Sequence, residues 1–262
     1  MITYGFSTIG CPDAGLGAAL ELCAKHGLDF VELRALGGGA GVLEYFEQNK
    51  PPPGMSKVRV LASSFALLGE DEKSRERLCR EGKLADEIGA KYIRIFGAGG
   101  GGAENNLTNA QIGRAAKTIE TLRGEFERRG ISCELLLETH DVFSFSGPCC
   151  DLNNRLDAPV SILWDSYHTW RHGKEPPGET WARLGPVIRH VHYKDGIAVP
   201  GTAGSLYTLP GKGEYPAPEL ARILKAGKYE NGISLEWEKL WHPELPPIEE
   251  ALDAFAGIFH KI

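Results

Sequence analysis

The sequence predicts an α/β protein folded as a (β/α)8 TIM barrel in a single domain. Eight short apolar segments of strand length recur along the 262 residues, and each is followed by a stretch with helical character. No change in composition marks a domain boundary, so residues 1–262 are predicted to form one barrel. A doubly wound open sheet is the alternative. It usually has fewer strands and often contains a glycine-rich dinucleotide-binding turn, which this sequence lacks.

The strand predictions rest on short apolar runs that are bounded by turn-forming residues. The proline-rich segment 51–54, for example, interrupts the chain just before the third strand. The strands are predicted at residues 2–7, 30–33, 58–63, 92–96, 133–138, 162–165, 188–192 and 232–237.

The helix predictions rest on apolar residues grouped toward one face and on capping signals. Gly27, Gly89 and Gly130 each follow a helical stretch and are suited to end it, because glycine adopts the left-handed conformation of a helix C-terminus. Thr108 is a candidate N-cap for the longest helix. The helices are predicted at residues 15–26, 42–48, 71–88, 108–129, 149–156, 179–184, 217–226 and 248–260.

Two glycine-rich stretches fall outside these elements. Residues 97–102 invite comparison with a phosphate-binding loop, but they lack the spacing of both common phosphate-loop motifs, so a flexible loop on the rim is the alternative. Residues 196–216 form the longest stretch without a predicted helix or strand. Loops of that length in compact domains are usually functional or disordered.

The composition restricts the protein's class and partners. Lys plus Arg number 29 against 35 Asp plus Glu, a net charge of −6 that argues against binding to nucleic acid. Six cysteines without a CxxC pair indicate reduced thiols, and we see no secretory signal. No stretch reaches the roughly 18 apolar residues of a membrane helix. We therefore expect a cytoplasmic protein that acts on a small molecule, with homo-oligomerisation left open.

Four predicted strands end in a residue that can bind a metal ion: Glu138, Asp165, His192 and Glu236. In a (β/α)8 barrel the C-terminal ends of all strands converge on one face, so these side chains are predicted to meet there. Three carboxylates so close would repel one another, and a divalent cation removes that repulsion. Three oxygen donors and one imidazole suit Mn²⁺, Mg²⁺ or Co²⁺, and Zn²⁺ less well. Four unrelated polar residues on the rim are the alternative.

The chain resembles the sugar phosphate isomerase/epimerase superfamily, the xylose isomerase-like TIM barrels, over nearly its whole length. The resemblance implies that Glu138, Asp165, His192 and Glu236 are the metal ligands and that His168 binds substrate. It is carried by the segments Leu136–His140, Trp164–His168, His190–Asp195, Gly211–Glu214 and Ser234–Glu238.

The resemblance also implies a reaction. In the ketose 3-epimerases of this superfamily the two metal-bound glutamates act as acid and base, which assigns that role to Glu138 and Glu236. A metal that holds the adjacent carbonyl and hydroxyl oxygens of a ketose acidifies the intervening C–H and stabilises the enediolate. Two glutamates on opposite faces of the carbon would invert it. One base that returns the proton to the neighbouring carbon would instead interconvert an aldose and a ketose.

This sequence departs from the ketose 3-epimerases at two positions. They carry a further Glu six residues after the first ligand and an Arg six residues after the ligand His, where this chain has Ser144 and Ala198. A lyase acting on a keto-inositol or related polyol therefore stays open, because an enediolate can also expel a β-hydroxyl. A non-catalytic sugar-binding barrel is the alternative from another class. An endonuclease IV-like phosphodiesterase is disfavoured, since its additional histidines are absent.

Further residues near the strand ends have two interpretations each. Lys194 and Asp195 would bind substrate oxygens or form a surface pair, and Arg34 would hold a phosphate or carboxylate or be a solvated rim residue. His190 is assigned a structural role, either against the helices or one layer below the metal. Glu238 could compete as a metal ligand.

Overall fold

Eight parallel strands close into a barrel, because the first strand pairs with both the second and the last. The computed structural model describes residues 1–51, 56–98, 107–202 and 204–259. This architecture confirms the predicted (β/α)8 fold. The barrel strands are β1 (Thr3–Ser7), β2 (Phe30–Leu33), β3 (Val58–Ala66), β4 (Tyr92–Phe96), β5 (Glu134–Glu138), β6 (Ser161–Asp165), β7 (Ile188–Tyr193) and β8 (Gly232–Leu235).

Helices follow the strands, and their buried apolar residues join the strands in one extensive core. Side-chain caps fix where the two longest helices begin, through reciprocal hydrogen bonds between Asp71 and Ser74 and between Thr108 and Gln111. The helices are α1 (Leu16–Lys25), α2 (Val42–Gln48), α3 (Glu72–Glu87), α4 (Asn109–Arg129), α5 (Ser146–Asn153), α6 (Ser166–Arg171), α7 (Pro177–Leu184), α8 (Ala217–Ala226) and α9 (Ile248–Phe259).

The alternation of side chains along each strand determines which residues fill the barrel. Residues two apart in a strand lie on the same face, so an apolar layer near the start of the strands is followed by a charged layer at their ends. The apolar layer is a separate buried cluster of Val60, Tyr92, Leu136 and Leu163. Two residues further along β4, β5 and β6 come the buried side chains of Arg94, Glu138 and Asp165.

Strand register places the charged ends side by side. Asp165 at the end of β6 lies opposite His192 in β7, and His192 in turn lies opposite Ser234 in β8. Glu138 is paired in register with Leu163 of β6. Because neighbouring strands in a sheet lie about 5 Å apart, this register brings residues that are distant in the sequence within contact distance.

The structure differs from the predicted elements mainly in the loops. The third strand continues to Ala66, and residues 196–216 contain an antiparallel hairpin of Gly196–Ala198 with Ser205–Tyr207. The prediction that this stretch contains no regular structure is therefore wrong. A second short hairpin joins Ala35–Leu36 to Ala40–Gly41. Most of the glycine-rich segment 97–102, interpreted above as a phosphate or rim loop, lies outside the described residues.

All six cysteines are free thiols, and four of them are buried. Among the described residues, none of the helices combines the length and the apolar character needed to cross a membrane.

Candidate metal centre and active site

The structure brings the four predicted metal-binding residues together at the C-terminal mouth of the barrel. Each of Glu138, Asp165, His192 and Glu236 offers one ligand atom, and these atoms all lie within 4.8 Å of one another. None of the four residues is more than 7% exposed. The four side chains are therefore not scattered over the rim, and burying their charges together is costly unless they are paired or coordinate a metal ion.

Each of the four side chains is held by its own strand end. Glu138 and Asp165 are the last residues of β5 and β6, and Glu236 directly follows β8. Asp165 also caps α6, since its Oδ1 accepts a hydrogen bond of 2.8 Å from the backbone N–H of His168. The backbone N–H of Glu236 donates to the carbonyl of Tyr193 at 2.9 Å, which continues the β7–β8 ladder.

A second polar layer lies beneath the four residues and orients His192. Nε2 of His192 lies 2.8 Å from Oε2 of Glu32, and the same carboxylate lies 3.3 Å from Nε2 of His190. His190 also lies 2.8 Å from the Ser234 hydroxyl. The Glu32 contact leaves Nδ1 of His192 facing Glu138 Oε1 at 3.3 Å and Glu236 Oε1 at 3.4 Å. His190 thus occupies the position one layer below the candidate metal centre.

Two buried cations balance the carboxylates. The guanidinium of Arg94 forms an ion pair with Glu138 through Nε and Nη2, and its Nη1 donates to the Ser63 carbonyl at 2.9 Å. Nζ of Lys194 donates to Glu236 at 2.5 Å and to Glu238 at 2.7 Å, and it lies 2.9 Å from Asp165. Lys194 and Asp195 are each only 1% exposed, so the predicted alternative of a surface pair between them is wrong.

Burial and these cations act in opposite directions on the carboxylates. Burial disfavours ionisation of Glu138, but the Arg94 guanidinium and the His192 ring hold its pKa below the usual range. Lys194 and His192 likewise outweigh burial and lower the pKa of Glu236. For Asp165 burial prevails over Lys194 and raises the pKa to about 7. The cluster therefore contains carboxylates of unlike proton affinity.

The ligand atoms fit a divalent cation. Among the described residues, Glu138 Oε1, Asp165 Oδ2 and His192 Nδ1 are buried atoms that make no hydrogen bond, although Asp165 Oδ2 lies within ion-pair distance of Lys194. Three carboxylate oxygens and one imidazole nitrogen form a donor set of the kind that Mn²⁺, Mg²⁺ and Co²⁺ accept. Glu32 is placed as the outer carboxylate that commonly fixes the ring of a ligating histidine.

A cavity of about 190 Å³ opens above this cluster. His168, Lys194 and Arg34, the predicted substrate-binding residues, all line it. His168 is buried, and its Nδ1 lies 3.2 Å from Asp165 Oδ2. The other lining residues are Ile9, Arg94, Phe96, His140, Glu236, Glu238 and Trp241.

A second cavity of about 240 Å³ adjoins the first, and the two share His140 and His168. The buried hydroxyl of Ser144 lines it and has no hydrogen-bond partner among the described residues. Ala198, the other position that departs from the ketose 3-epimerases, lies in the hairpin and lines a different cavity beside Glu214. Neither position supplies a charged side chain to the mouth.

Two residues that sequence reasoning singled out have other functions in the fold. The Asp195 carboxylate accepts four backbone N–H groups, from Gly196 and Gly211 at 2.9 Å and from Gly213 and Tyr215 at 3.1 Å, so it organises the loop after β7. Glu238 pairs with Lys194 and does not belong to the group of four candidate ligands.

Sequence reasoning missed Glu32 and Arg94. Each is a charged residue in the middle of an apolar strand, within Phe30–Leu33 and Tyr92–Phe96. That pattern was itself a signal, because a charge on the inner face of a barrel strand must find a partner.

Comparisons with known proteins agree with the fold. The family profile described as xylose isomerase-like TIM barrel matches residues 20–258. No curated protein matches the sequence. Among solved structures, the probable 3-DHS dehydratase AsbF from Bacillus anthracis is similar with a TM-score of 0.76 at 17% identity, covering 97% of this chain and 98% of that one.

Two further structures illustrate the range of proteins that share the fold. The IOLI protein, described with a bound zinc atom, has a TM-score of 0.73 at 18% identity over 99% of this chain and 98% of that one. An L-ribulose 3-epimerase has a TM-score of 0.72 at 15% identity over 98% and 93%. The family profile covers most of the sequence, and the chain belongs to the xylose isomerase-like TIM barrel family.

Proposed function

We propose that this protein is a divalent-metal-dependent isomerase or epimerase that acts on a sugar, a sugar phosphate or a keto-polyol. The observation that carries the proposal is the placement of two buried glutamates from different strands beside one histidine nitrogen. The Oε1 atoms of Glu138 and Glu236 lie 3.3 and 3.4 Å from His192 Nδ1.

We assign Glu138, Asp165, His192 and Glu236 as the residues that hold the metal ion. Their oxygen-rich donor set favours Mn²⁺, Mg²⁺ or Co²⁺ over Zn²⁺. A divalent cation bound there supplies positive charge that acidifies a C–H beside a carbonyl and stabilises the resulting enediolate.

Glu138 and Glu236 are the proposed acid and base. One carboxylate removes the proton from the carbon between carbonyl and hydroxyl, and the other returns a proton from the opposite face, which inverts that carbon. If the same carboxylate returns the proton to the neighbouring carbon, the product is the isomer in which the carbonyl has moved. General acid–base catalysis of this kind contributes roughly 10²–10⁴-fold.

His168 and Lys194 are proposed to bind substrate oxygens. Both line the mouth cavity beside the candidate metal centre, and both are held rigidly. The His168 backbone is fixed by the Asp165 cap, and the Lys194 ammonium is fixed by three carboxylates. A rigid donor costs little conformational entropy when substrate binds.

A lyase reaction at the same site is the second candidate. It is favoured by two positions at which ketose 3-epimerases carry Glu and Arg and this chain carries uncharged residues. Ser144 lines a cavity that adjoins the mouth cavity, and Ala198 lies in the hairpin. In this reaction the first proton transfer is the same. The electrons of the enediolate then expel the β-hydroxyl, which takes a proton from a carboxyl group of the site and leaves as water.

The proposal is tested by proton exchange from D₂O. Chelator-stripped protein would be loaded with Mn²⁺, Mg²⁺ or Co²⁺ and incubated with ketoses, keto-inositols and their phosphates. We expect metal-dependent incorporation of deuterium at one carbon, lost in Glu138→Gln and Glu236→Gln variants whose metal content is measured in parallel. Loss of water without exchange into product identifies the lyase. Binding of a sugar without either reaction would contradict both and leave a non-catalytic sugar-binding barrel.

A further inference from the structure

Arg34 differs from the Arg94 and Lys194 side chains of the mouth cavity because it has no acidic partner within the part of the chain that the structure describes. Arg94 is paired with Glu138, and Lys194 is surrounded by three carboxylates. The guanidinium of Arg34 lines the same cavity, yet it forms no ion pair or side-chain hydrogen bond with any of the described residues.

The position of Arg34 is fixed by its backbone. It follows β2 directly, and its N–H donates to the hydroxyl of Thr8 at 2.9 Å, with Ala35 N–H on the same oxygen at 3.3 Å. Thr8 is fully buried. The chain therefore enters the mouth at a defined point, and the guanidinium is not carried by a loose loop.

The environment of Arg34 disfavours its charge. Burial and the Arg94 guanidinium both lower the pKa of Arg34, and the opposing effect of the Glu236, Glu138 and Glu81 carboxylates does not outweigh them. Those two carboxylates are already engaged by Lys194 and Arg94. A half-buried guanidinium that lines a cavity and has no carboxylate partner among the described residues is suited to bind an anion from outside the chain.

We propose that the substrate carries an anionic group, a carboxylate or a phosphate, and that Arg34 binds it. This inference rests on the proposed function, since it places the reacting carbonyl at the metal centre and the anionic group at Arg34 in the wall of the same cavity. The substrate class is then an acidic or phosphorylated keto-polyol, and neutral ketoses are poor ligands. A guanidinium can hold either anion through two parallel hydrogen bonds.

The test is equilibrium binding to the Mn²⁺-loaded full chain, measured by calorimetry without requiring turnover. The probes are D-fructose, D-fructose 6-phosphate, 5-keto-D-gluconate and inorganic phosphate. The variants are Arg34→Gln, Arg34→Lys and, as a matched control, Arg189→Gln. Arg189 is half-buried at the start of β7, at the opposite end of the barrel.

We expect at least one anionic probe to bind wild-type protein roughly tenfold or more tightly than D-fructose. Arg34→Gln should abolish this preference, Arg34→Lys should retain part of it, and Arg189→Gln should leave it unchanged. A preference for the phosphate ester over the keto acid, or the reverse, identifies which anion the site takes. If no anionic probe, inorganic phosphate included, binds wild type better than Arg34→Gln, the inference is overturned.

Deuterium exchange on the same samples separates this inference from the proposed function. Exchange into D-fructose without an Arg34-dependent preference for anions would refute the anion site and keep the isomerase. Anion binding that depends on Arg34 but is never accompanied by exchange or water loss would keep the anion site and refute the isomerase.

Discussion

Nε2 of His192 lies 2.8 Å from Oε2 of Glu32, and this contact turns Nδ1 of the same ring toward Glu138 and Glu236. The two residues are 160 positions apart in the sequence, and both are 1% exposed. The pKa of Glu32 is low, because the two histidines beside it outweigh the effect of burial. Glu32 is therefore an anion that accepts the Nε2–H and keeps the other nitrogen available to a metal ion.

Neutralising Glu32 should weaken metal binding without removing a ligand. We expect Glu32→Gln to lower the affinity for Mn²⁺ by roughly 10–100-fold, the usual effect of changing a residue that orients a ligating histidine. Calorimetric titration of chelator-stripped protein measures this directly. Glu47→Gln, on the exposed surface of α2, is the matched control and should bind Mn²⁺ like wild type. An unchanged affinity in Glu32→Gln would contradict the role given to Glu32.

Removing the Lys194 ammonium should expose the repulsion among its three carboxylate partners. We expect metal-free Lys194→Met to lose about 3–5 kcal/mol of unfolding free energy, as when one partner of a buried ion pair is deleted. Added Mn²⁺ should then raise its melting temperature more than that of wild type, because the cation replaces the missing charge. The exposed Lys212→Met variant is the control. An equal metal-induced shift in Lys194→Met and wild type would argue against a metal ion beside Lys194.

The strand ends could be predicted from the sequence, whereas the contact between Glu32 and His192 below them could not. Glu138, Asp165, His192 and Glu236 stand out because each ends an apolar run, and barrel geometry alone makes such ends converge. Glu32 lies inside the four-residue strand β2. Its partner His192 is on β7, which is separated from β2 in the barrel by β1 and β8. No local periodicity reports a contact of that kind.

The loops were less predictable for a different physical reason. The hairpin of Gly196–Ala198 with Ser205–Tyr207 depends on tertiary hydrogen bonds to Asp195, so glycine and proline content alone indicated only an irregular stretch. Helix α6 was not predicted, since six residues are too few to show helical periodicity. Its start is set by the Asp165 side chain, which the sequence suggested only as a metal ligand.

Stability should decrease in mildly acidic solution because of His172. Burial, together with the nearby charges of Lys194 and Arg171, lowers the pKa of His172 to about 4. An unfolded histidine has a pKa of about 6.5, so between these values the unfolded chain takes up a proton that the folded chain does not. The unfolding free energy should therefore fall as the pH drops from about 6.5 toward 4, by on the order of 1 kcal/mol after solvent screening.

NMR titration of the His172 ring measures this pKa, and urea unfolding of wild type and His172→Asn across the same pH range measures the stability. The variant should show a shallower loss of stability in acid. A ring that titrates near the unfolded value would contradict the prediction.

Close packing around Gly173 should make it sensitive to the smallest side chain. A Cβ atom there would lie 2.2 Å from the Ser144 carbonyl oxygen and 2.7 Å from that of Thr169. We expect Gly173→Ala to cost about 1–3 kcal/mol of unfolding free energy, because the backbone on both sides must move. At Gly17 in α1, none of the residues that the structure describes brings a packing atom within 4 Å of the corresponding position. Gly17→Ala should be neutral or stabilising by about 0.5–1 kcal/mol, and urea unfolding compares the two.

The four N–H groups gathered by Asp195 have a consequence for how this barrel could change its substrate. The Asp195 carboxylate accepts hydrogen bonds from both ends of the loop after β7. A change in the connection between the two hairpin strands therefore need not move Lys194. Insertions or deletions in that connection could reshape the entrance while the reacting groups stay in register. The substrate specificity could then change through this one short segment while the chemistry of the reacting groups stays the same.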